Sequence, residues 1–315
     1  MSTTIDLSLL PAPAVVQALD YQTILSAMLN GDDTTTPPTP GLLQLMPSFS
    51  ALLESDPAYK ILEVCAYREL LIRQRVNDAA QAVMLAHAVG TDLDNLGVLL
   101  NVTRNTITPA NPSAFPPVAA VMESDTAFRA RIQLSLDGFS TAGPIGAYRF
   151  WALSAAGTIA DVSVVGPPTV SPGQVLVTIM SNSTLNGSGV IDGTASSAEI
   201  AAVTQAVNAD TVRPLTDQVT VQGVTVTDYS ITATIYTAPG PDSSTVMANA
   251  QASAQGYVTA QHKVGRSIHL SALYAALFVP GISNVVLTSP TADISIDYAH
   301  TAFCTAINLT YGGIS

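Results

Sequence analysis

The sequence predicts an α+β chain: an N-terminal helical region with one long central helix, followed by two small α+β units with mixed or antiparallel sheets. Three observations carry this reading. Over 57–89, Ile61, Cys65, Arg68, Ile72, Val76, Ala79, Val83 and Ala86 recur every three or four positions, the period of one helix face. From Ile159 onward, β-branched runs alternate with turn residues, as strands do. Between those runs lie Ala-rich stretches with spaced apolar residues, which read as short helices, and the mixture is α+β.

In chain order, 14–30 reads as a short helix with Val15, Leu19, Ile24 and Leu25 turned inward. Residues 30–41, NGDDTTTPPTPG, have no apolar period and are broken by proline and glycine, so they read as a linker or extended arm. A brief apolar segment, 42–53, leads into the central helix. Asp56 is placed to cap that helix with its carboxylate, and Pro57 stands where a missing N–H is harmless. Gly90 suits the left-handed stop. A second short helix follows, with Thr91 and Asp94 as a variant capping box and Leu93, Leu96 and Leu100 on its apolar side. Arg68 in the middle of the apolar stripe has two readings. Its stem packs at the rim with its head in water, or it awaits a carboxylate on another helix or another chain.

Residues 105–122 hold Pro109, Pro112, Pro116 and Pro117, which exclude a helix. The segment ESDTAFRARIQLSL after them repeats the ESDPAYK start of the central helix, as two helix beginnings using one capping chemistry. TAGPIGAYRFWALSA is a loop entering a helix. Strands are expected over 162–165, 174–180, 218–221, 225–236, 282–288 and 303–310, and helices over 196–208, 243–261 and 269–278. Two stretches, GAYRFWALSAAGTIADVSVVGPP and GRSIHLSALYAALFVPGISNVVLTSP, each run helix, glycine turn, valine-rich strand and proline turn, which suggests two related units. The divisions expected are 1–41 (arm and linker), 42–108 (helical), 109–160 (Pro-rich connection and helices), 161–237 and 238–315 (two α+β domains).

Composition narrows the function. The 315 residues allow a sizeable core and two or three folded units. Hydrophobic residues make up 48% and charged residues only 11%, so some apolar surface is expected to enter permanent contacts with other chains. Mean hydropathy is +0.36, yet no strongly apolar run of about 18 residues exists, so no membrane-spanning segment is expected. The net charge of −12 and scattered basic residues argue against nucleic acid as a partner. Two cysteines, Cys65 and Cys304, suggest a reducing compartment. The N-terminus does not read as a secretory signal.

No chemical site stands out. The four histidines, His87, His262, His269 and His300, show no ligand spacing, and Asp92 and Asp94 at a helix start fit dipole and capping better than a cation. No metal or cofactor is expected. No G-x-S-x-G elbow or phosphate-binding G-x-x-x-x-G-K occurs, and the Gly-rich NGSGVIDGTASS has no lysine. One tryptophan offers little for sugar stacking. The chain therefore reads as a non-enzyme.

The segment YRELLIRQRVNDAAQAVMLAHAVGTDLDNLGVLLNVTR, with Ala88, Gly90, Asp92, Leu93, Asp94, Leu96 and Gly97 at its turn and Val102 and Arg104 at its end, resembles the baseplate J-like family of contractile-tailed phages. The resemblance continues through Glu123-Ser124-Asp125, Phe128-Arg129, Arg131 and Ile132. It includes Arg213-Pro214-Leu215-Thr216-Asp217 and the stretch 265–277, and so covers most of the chain from about residue 54. It implies a structural baseplate wedge protein in the virion tail, assembled in the host bacterial cytoplasm. The implied partners are other copies of itself, companion wedge proteins, and hub and sheath-initiating proteins. The helical part would bundle with neighbours and the α+β units would close a ring that rearranges when the sheath contracts. Arg68, Arg73, Asp92, Asp94 and Arg104 are the expected interface residues. The alternative is a tail-associated carbohydrate-binding or glycan-hydrolysing protein, which would need a carboxylate pair and clustered aromatics.

Overall fold

A computed structural model of the chain describes residues 7–10, 13, 19–32, 38–46, 52–140, 142–240 and 242–314. The chain divides into two compact units, Ile5–Asn101 and Val102–Ser315.

The first unit is helical. Helix α1, Tyr21–Asn30, starts at Asp20, whose carboxylate accepts from the N–H groups of Gln22 (3.2 Å) and Thr23 (3.1 Å). The expected start at 14 falls partly outside the described residues. The ends of the expected linker meet, with Asp32 bridging Thr39. A single turn, α2 (Leu42–Leu45), follows. Helix α3, Pro57–Ala82, is 26 residues and roughly 39 Å long. Its cap differs from expectation. Asp56 holds the N-cap place, but its carboxylate accepts from the N–H of Leu53 behind it (2.9 Å) and not from the first turn.

Helix α3 also ends earlier than its periodicity suggests. Beyond Ala82 the backbone tightens to three-residue bonds, Met84 N–H to Gln81 (3.1 Å) and His87 N–H to Met84 (3.0 Å). This turn buries Ala88 at 1% exposure. Helix α4, Gly90–Leu99, then begins after extended Val89, with Gly90 at φ +55°. The N-cap residue is Val89, which has no side-chain cap to offer, so Thr91 lies inside the helix and not at the cap position expected of it. Leu93 is fully buried and Leu96 half-buried, as expected of its apolar side.

The second unit opens with a small hairpin, β1 (Thr106–Thr108) and β2 (Val121–Met122). Helix α5, Asp125–Gly138, is capped by Ser124 Oγ, which accepts from Ala127 N–H (3.3 Å). Helix α6, Ile145–Ala155, packs against it at two glycines. A Cβ at Gly138 would lie 2.4 Å from Phe150, and one at Gly146 would lie 1.8 Å from Asp137 Oδ2.

Two three-stranded mixed sheets follow. In the first, β4 (Gln174–Ser181) is central, antiparallel to β3 (Ile159–Val165) and parallel to β5 (Gln218–Gly223). Helix α6 and helix α7, Ser197–Val207, cover it, with Tyr148, Ala152, Val177, Ile179, Val203 and Val207 as the core. In the second, β6 (Thr225–Thr237) is central, antiparallel to β7 (Ile282–Ser289) and parallel to β8 (His300–Ile314). Helix α8, Ser243–Gln261, and helix α9, Leu270–Leu277, close its core of Ile231, Ile235, Ala250, Ala254, Leu273 and Leu277.

Strand β6 therefore pairs within the later sheet, and the change of sheet falls at Val224 instead of 237. Val224 is the single residue between β5 and β6. Its N–H bonds Ile179 of the first sheet (2.9 Å), and the next N–H, of Thr225, bonds Ala299 beside the second (2.9 Å). The two sheet regions also meet at Asp161, whose Oδ2 accepts from Val264 N–H (3.1 Å), and at His262, whose Nε2 is 3.0 Å from Asp192 O. The two similar stretches in the sequence prove to be α6–β3 and α9–β7. Each supplies a helix followed by the edge strand antiparallel to the central one. Their order differs: β4 follows its pair in the first region, whereas β6 precedes its pair in the second.

Candidate assembly interface

Helix α3 carries two apolar stripes, and the fold uses one. Tyr59, Leu62, Ala66 and Leu70 pack against Tyr21, Ile24, Leu25, Met28 and Leu29 of α1. Their spacing of three and four places them on a single face. The stripe read from the sequence is the other one; from Ile61 to Val83 it stays uncovered, while Ala86, beyond the helix, is half-buried. Ile61 and Ile72 are each 64% exposed, Val76 53% and Val83 70%. Val64, Tyr67 and Leu71 widen this surface, and Cys65 lies exposed within it. An uncovered apolar row on so long a helix makes this face the candidate for a partner surface.

The charged groups on this face divide into free and engaged ones. Arg68 and Arg75 are exposed and make no ion pair among the described residues. With Leu71, Ile72, Asp78 and Asp92 they line an open groove of about 810 Å³. Arg68 and Asp92 are thus brought to one concavity. Arg73 bonds Glu69 one turn earlier with Nε at 2.8 Å and also through Nη2, so its charge is shared locally. Asp94 is half-buried and already has an interaction of its own.

Arg104 belongs to a different structure. Its Nη1 donates to Glu123 O (2.6 Å), its Nη2 is 2.7 Å from Asp125 Oδ1, and its guanidinium carbon lies 4.8 Å from the centre of the Phe128 ring. The side chain is only 11% exposed, so it is held inside the second unit. Arg131 approaches the same ring at 5.4 Å and pairs with Glu123. Sequence reasoning read Glu123, Ser124 and Asp125 as capping residues. Only Ser124 caps. The signal that was present is Arg131, eight residues and about two turns after Glu123, on a helix whose start carries the acid it pairs with.

A second polar centre escaped the sequence altogether. Glu199, 8% exposed, accepts from Ser181 Oγ (2.7 Å), Thr184 Oγ1 (2.7 Å), and Ser196 N–H (2.7 Å) and Oγ (2.8 Å). Burial alone would raise its carboxyl. Hydrogen bonds from Thr158, Ser196, Thr184 and Ser181 outweigh that and bring it to about 2. The centre ties the loop over 182–196 to α7.

Among the described residues, no group of three or more His, Cys, Asp or Glu is arranged to hold a metal ion, and no helix is long and apolar enough to cross a membrane. The lone tryptophan, Trp151, is half-buried and edge-on to Phe150 at 5.3 Å.

Comparison with known proteins places these features in a family context. Residues 54–111 match the Baseplate J-like N-terminal domain, 140–223 the Baseplate J-like central domain, and 229–310 the Baseplate J-like protein C-terminal domain. The gap between the last two spans the residues where the chain passes from one sheet to the other. The chain is 46% identical over 309 residues to Baseplate protein J of Escherichia phage P2, covering 98% of each. A chain in the six-fold symmetrised cryo-EM structure of the anti-feeding prophage baseplate is similar at 14% identity and a TM-score of 0.38. That similarity covers 60% of this chain and 43% of the other, less than half of its length.

Proposed function

Because the chain belongs to the baseplate J-like family, we propose that it is a structural wedge component of a contractile phage tail baseplate. A structural role in a phage baseplate follows from that membership. In the finer reading, copies of the chain join one another and companion wedge proteins into a ring around the hub. The ring rearranges as the sheath contracts, and the work is mechanical, with no bond made or broken. The site is the virion tail, after assembly in the host bacterial cytoplasm.

The observation that carries the reading is the uncovered stripe of α3. A row of Ile61, Ile72, Val76 and Val83 at over half exposure is costly to leave in water and inexpensive to bury against another helix. Arg68 in its middle adds direction, since a facing carboxylate would fix the register of a partner helix. By this reading α3 is one strand of an intermolecular bundle, with Arg68, Arg75 and Asp92 setting which partner fits.

Cys65 supplies the test, because it sits on the stripe and is exposed. In the isolated chain it should react readily with a maleimide. In assembled baseplates, or after co-production with products of adjacent genes, it should be protected. Equal labelling in the free and assembled states would rule out α3 as the contact.

A further inference from the structure

We infer that the 106–122 hairpin is a plug that inserts Phe115 into a preformed cavity on the first sheet region of a neighbouring copy of the same chain. The inference rests on the reading that copies assemble side by side, and it assigns that contact to a specific knob and socket.

The knob is built for exposure. Beyond β1 and β2, Asn111 and Val118 pair through Asn111 N–H to Val118 O (2.9 Å) and Val118 N–H to Asn111 O (3.0 Å). Within the tip, Ser113 N–H donates to Asn111 Oδ1 (3.1 Å). The loop so fixed presents Phe115 at 102% exposure, followed by Pro116 and Pro117, with Val118 and Val121 each 50% exposed. A wholly exposed phenylalanine at the end of a braced hairpin gains nothing for its own fold. It is the shape of an interface anchor.

The socket lies at the end of the first sheet and has about 430 Å³ of space, within the range of sites that take a small apolar group. Ile145, Tyr148, Val164, Pro167 and Val175 form its walls. Its one acid, Asp217, is already engaged, accepting from Tyr148 Oη at 2.7 Å. The rim is held by Arg213, whose Nη1 donates to Asp217 O (3.0 Å). It also rests directly on Gly143, where a Cβ would come within 2.8 Å of Pro214 and 2.9 Å of Asp217. Leu215, 99% exposed, stands on this rim beside Thr216 and Asp217 and offers the prolines of the plug an apolar shoulder.

Charge selects the occupant. The chain carries −12, so two copies repel overall, and a contact between patches without unpaired acids adds nothing to that repulsion. Residues 105–122 contain no Asp, Glu, Lys or Arg, and the socket holds a single, already bonded carboxylate. Knob and socket are different patches of one chain, so the contact either repeats head-to-tail, closing a ring or running on as a filament, or is made twice across a two-fold axis.

The test mixes two single variants of the full chain in a Cys65→Ser background, one with Phe115→Cys and one with Ile145→Cys, and adds a short bis-maleimide. The expected product has twice the chain mass and forms only when both variants are present. Separately, Phe115→Asp should weaken self-association by about tenfold or more. Its unfolding curve should stay unchanged, since the residue touches nothing in its own chain. The inference is overturned by any of three results: no mixed product, self-association indifferent to Phe115→Asp, or a chain that stays monomeric at about millimolar concentration. Absent linkage with Cys65 still protected in baseplates would remove the plug and leave the α3 contact standing. Linkage with Cys65 unprotected would do the reverse.

Discussion

Arg131 and Glu123 form a buried ion pair at the point where the chain enters its second unit. Arg131 Nε lies 3.2 Å from Oε1 and Nη2 2.6 Å from Oε2, with the two side chains 4% and 9% exposed. The same guanidinium donates to Thr103 O (2.5 Å) and Ser154 Oγ (3.3 Å), and Glu123 accepts from Asn105 N–H (3.1 Å). One pair therefore binds the incoming segment to α5 and α6.

Removing one partner of such a pair strands the other as a buried charge. Glu123→Gln should cost about 3–5 kcal/mol of stability. Denaturant unfolding of the second unit would read this directly, and a change below about 1 kcal/mol would contradict the burial of the pair.

Glu199 gives the second unit a defined acid limit. Its folded carboxyl sits at about 2, below the ordinary 4.5, because hydrogen bonds from Thr158, Ser196, Thr184 and Ser181 outweigh the cost of burial and hold the charged form. A depressed carboxylate contributes stability that is complete above the unfolded value and lost as pH falls toward the folded one. Stability should thus decline from about pH 5 to about pH 2. Glu199→Gln should flatten that decline while lowering stability near neutrality by on the order of 2 kcal/mol. Thermal unfolding across this pH range, variant against parent, measures both effects.

The α5–α6 contact depends on missing side chains. A Cβ at Gly146 would meet Asp137 Oδ2 at 1.8 Å, whereas one at Gly187 meets nothing within 4 Å. Gly146→Ala should therefore lower the melting temperature by several degrees, the response expected of about 1–3 kcal/mol of overpacking. Gly187→Ala should leave it nearly unmoved. Calorimetry on the two variants side by side gives the comparison.

Arg68→Ala should leave the isolated chain's unfolding within about 0.5 kcal/mol of the parent, since an exposed side chain without an ion pair supports nothing locally. Co-purification with other baseplate proteins should fall. Ile72→Asp, on the same uncovered row, should reduce it further. Pull-down yield against tagged partners reads both, and full recovery of both variants would contradict the proposed contact.

The two thiols should differ in the isolated chain. Burial pushes the Cys304 thiol up, while Cys65 lies exposed on α3. Cys65 should react with a chromogenic disulfide at least about tenfold faster near neutral pH. Single-cysteine variants assign the two phases.

Secondary structure was legible because it depends on period and punctuation. The strands from β3 to β8 and helices α7 to α9 lie within a few residues of where β-branched runs and Ala-rich stretches put them. What periodicity could not tell was which stripe of α3 faces inward. Ile61, Ile72 and Val76 look as apolar as Tyr59, Leu62 and Leu70, and only the position of α1 separates covered from uncovered. The partner of β6 was likewise invisible, because strand pairing is decided by residues tens of positions away. Arg104 and Glu123 were read by their charge, as an interface bet and a helix start. Their fates were set by Phe128 and Arg131, which geometry alone brings to them.

Val224 has a mechanical consequence. With one residue joining β5 to β6, and with neighbouring N–H groups tied to opposite sheets, there is no slack between the two regions. A swivel at this point would strain the Val224–Ile179 and Thr225–Ala299 hydrogen bonds. A hinge placed here has two backbone hydrogen bonds, on opposite sides, to give up before it can open.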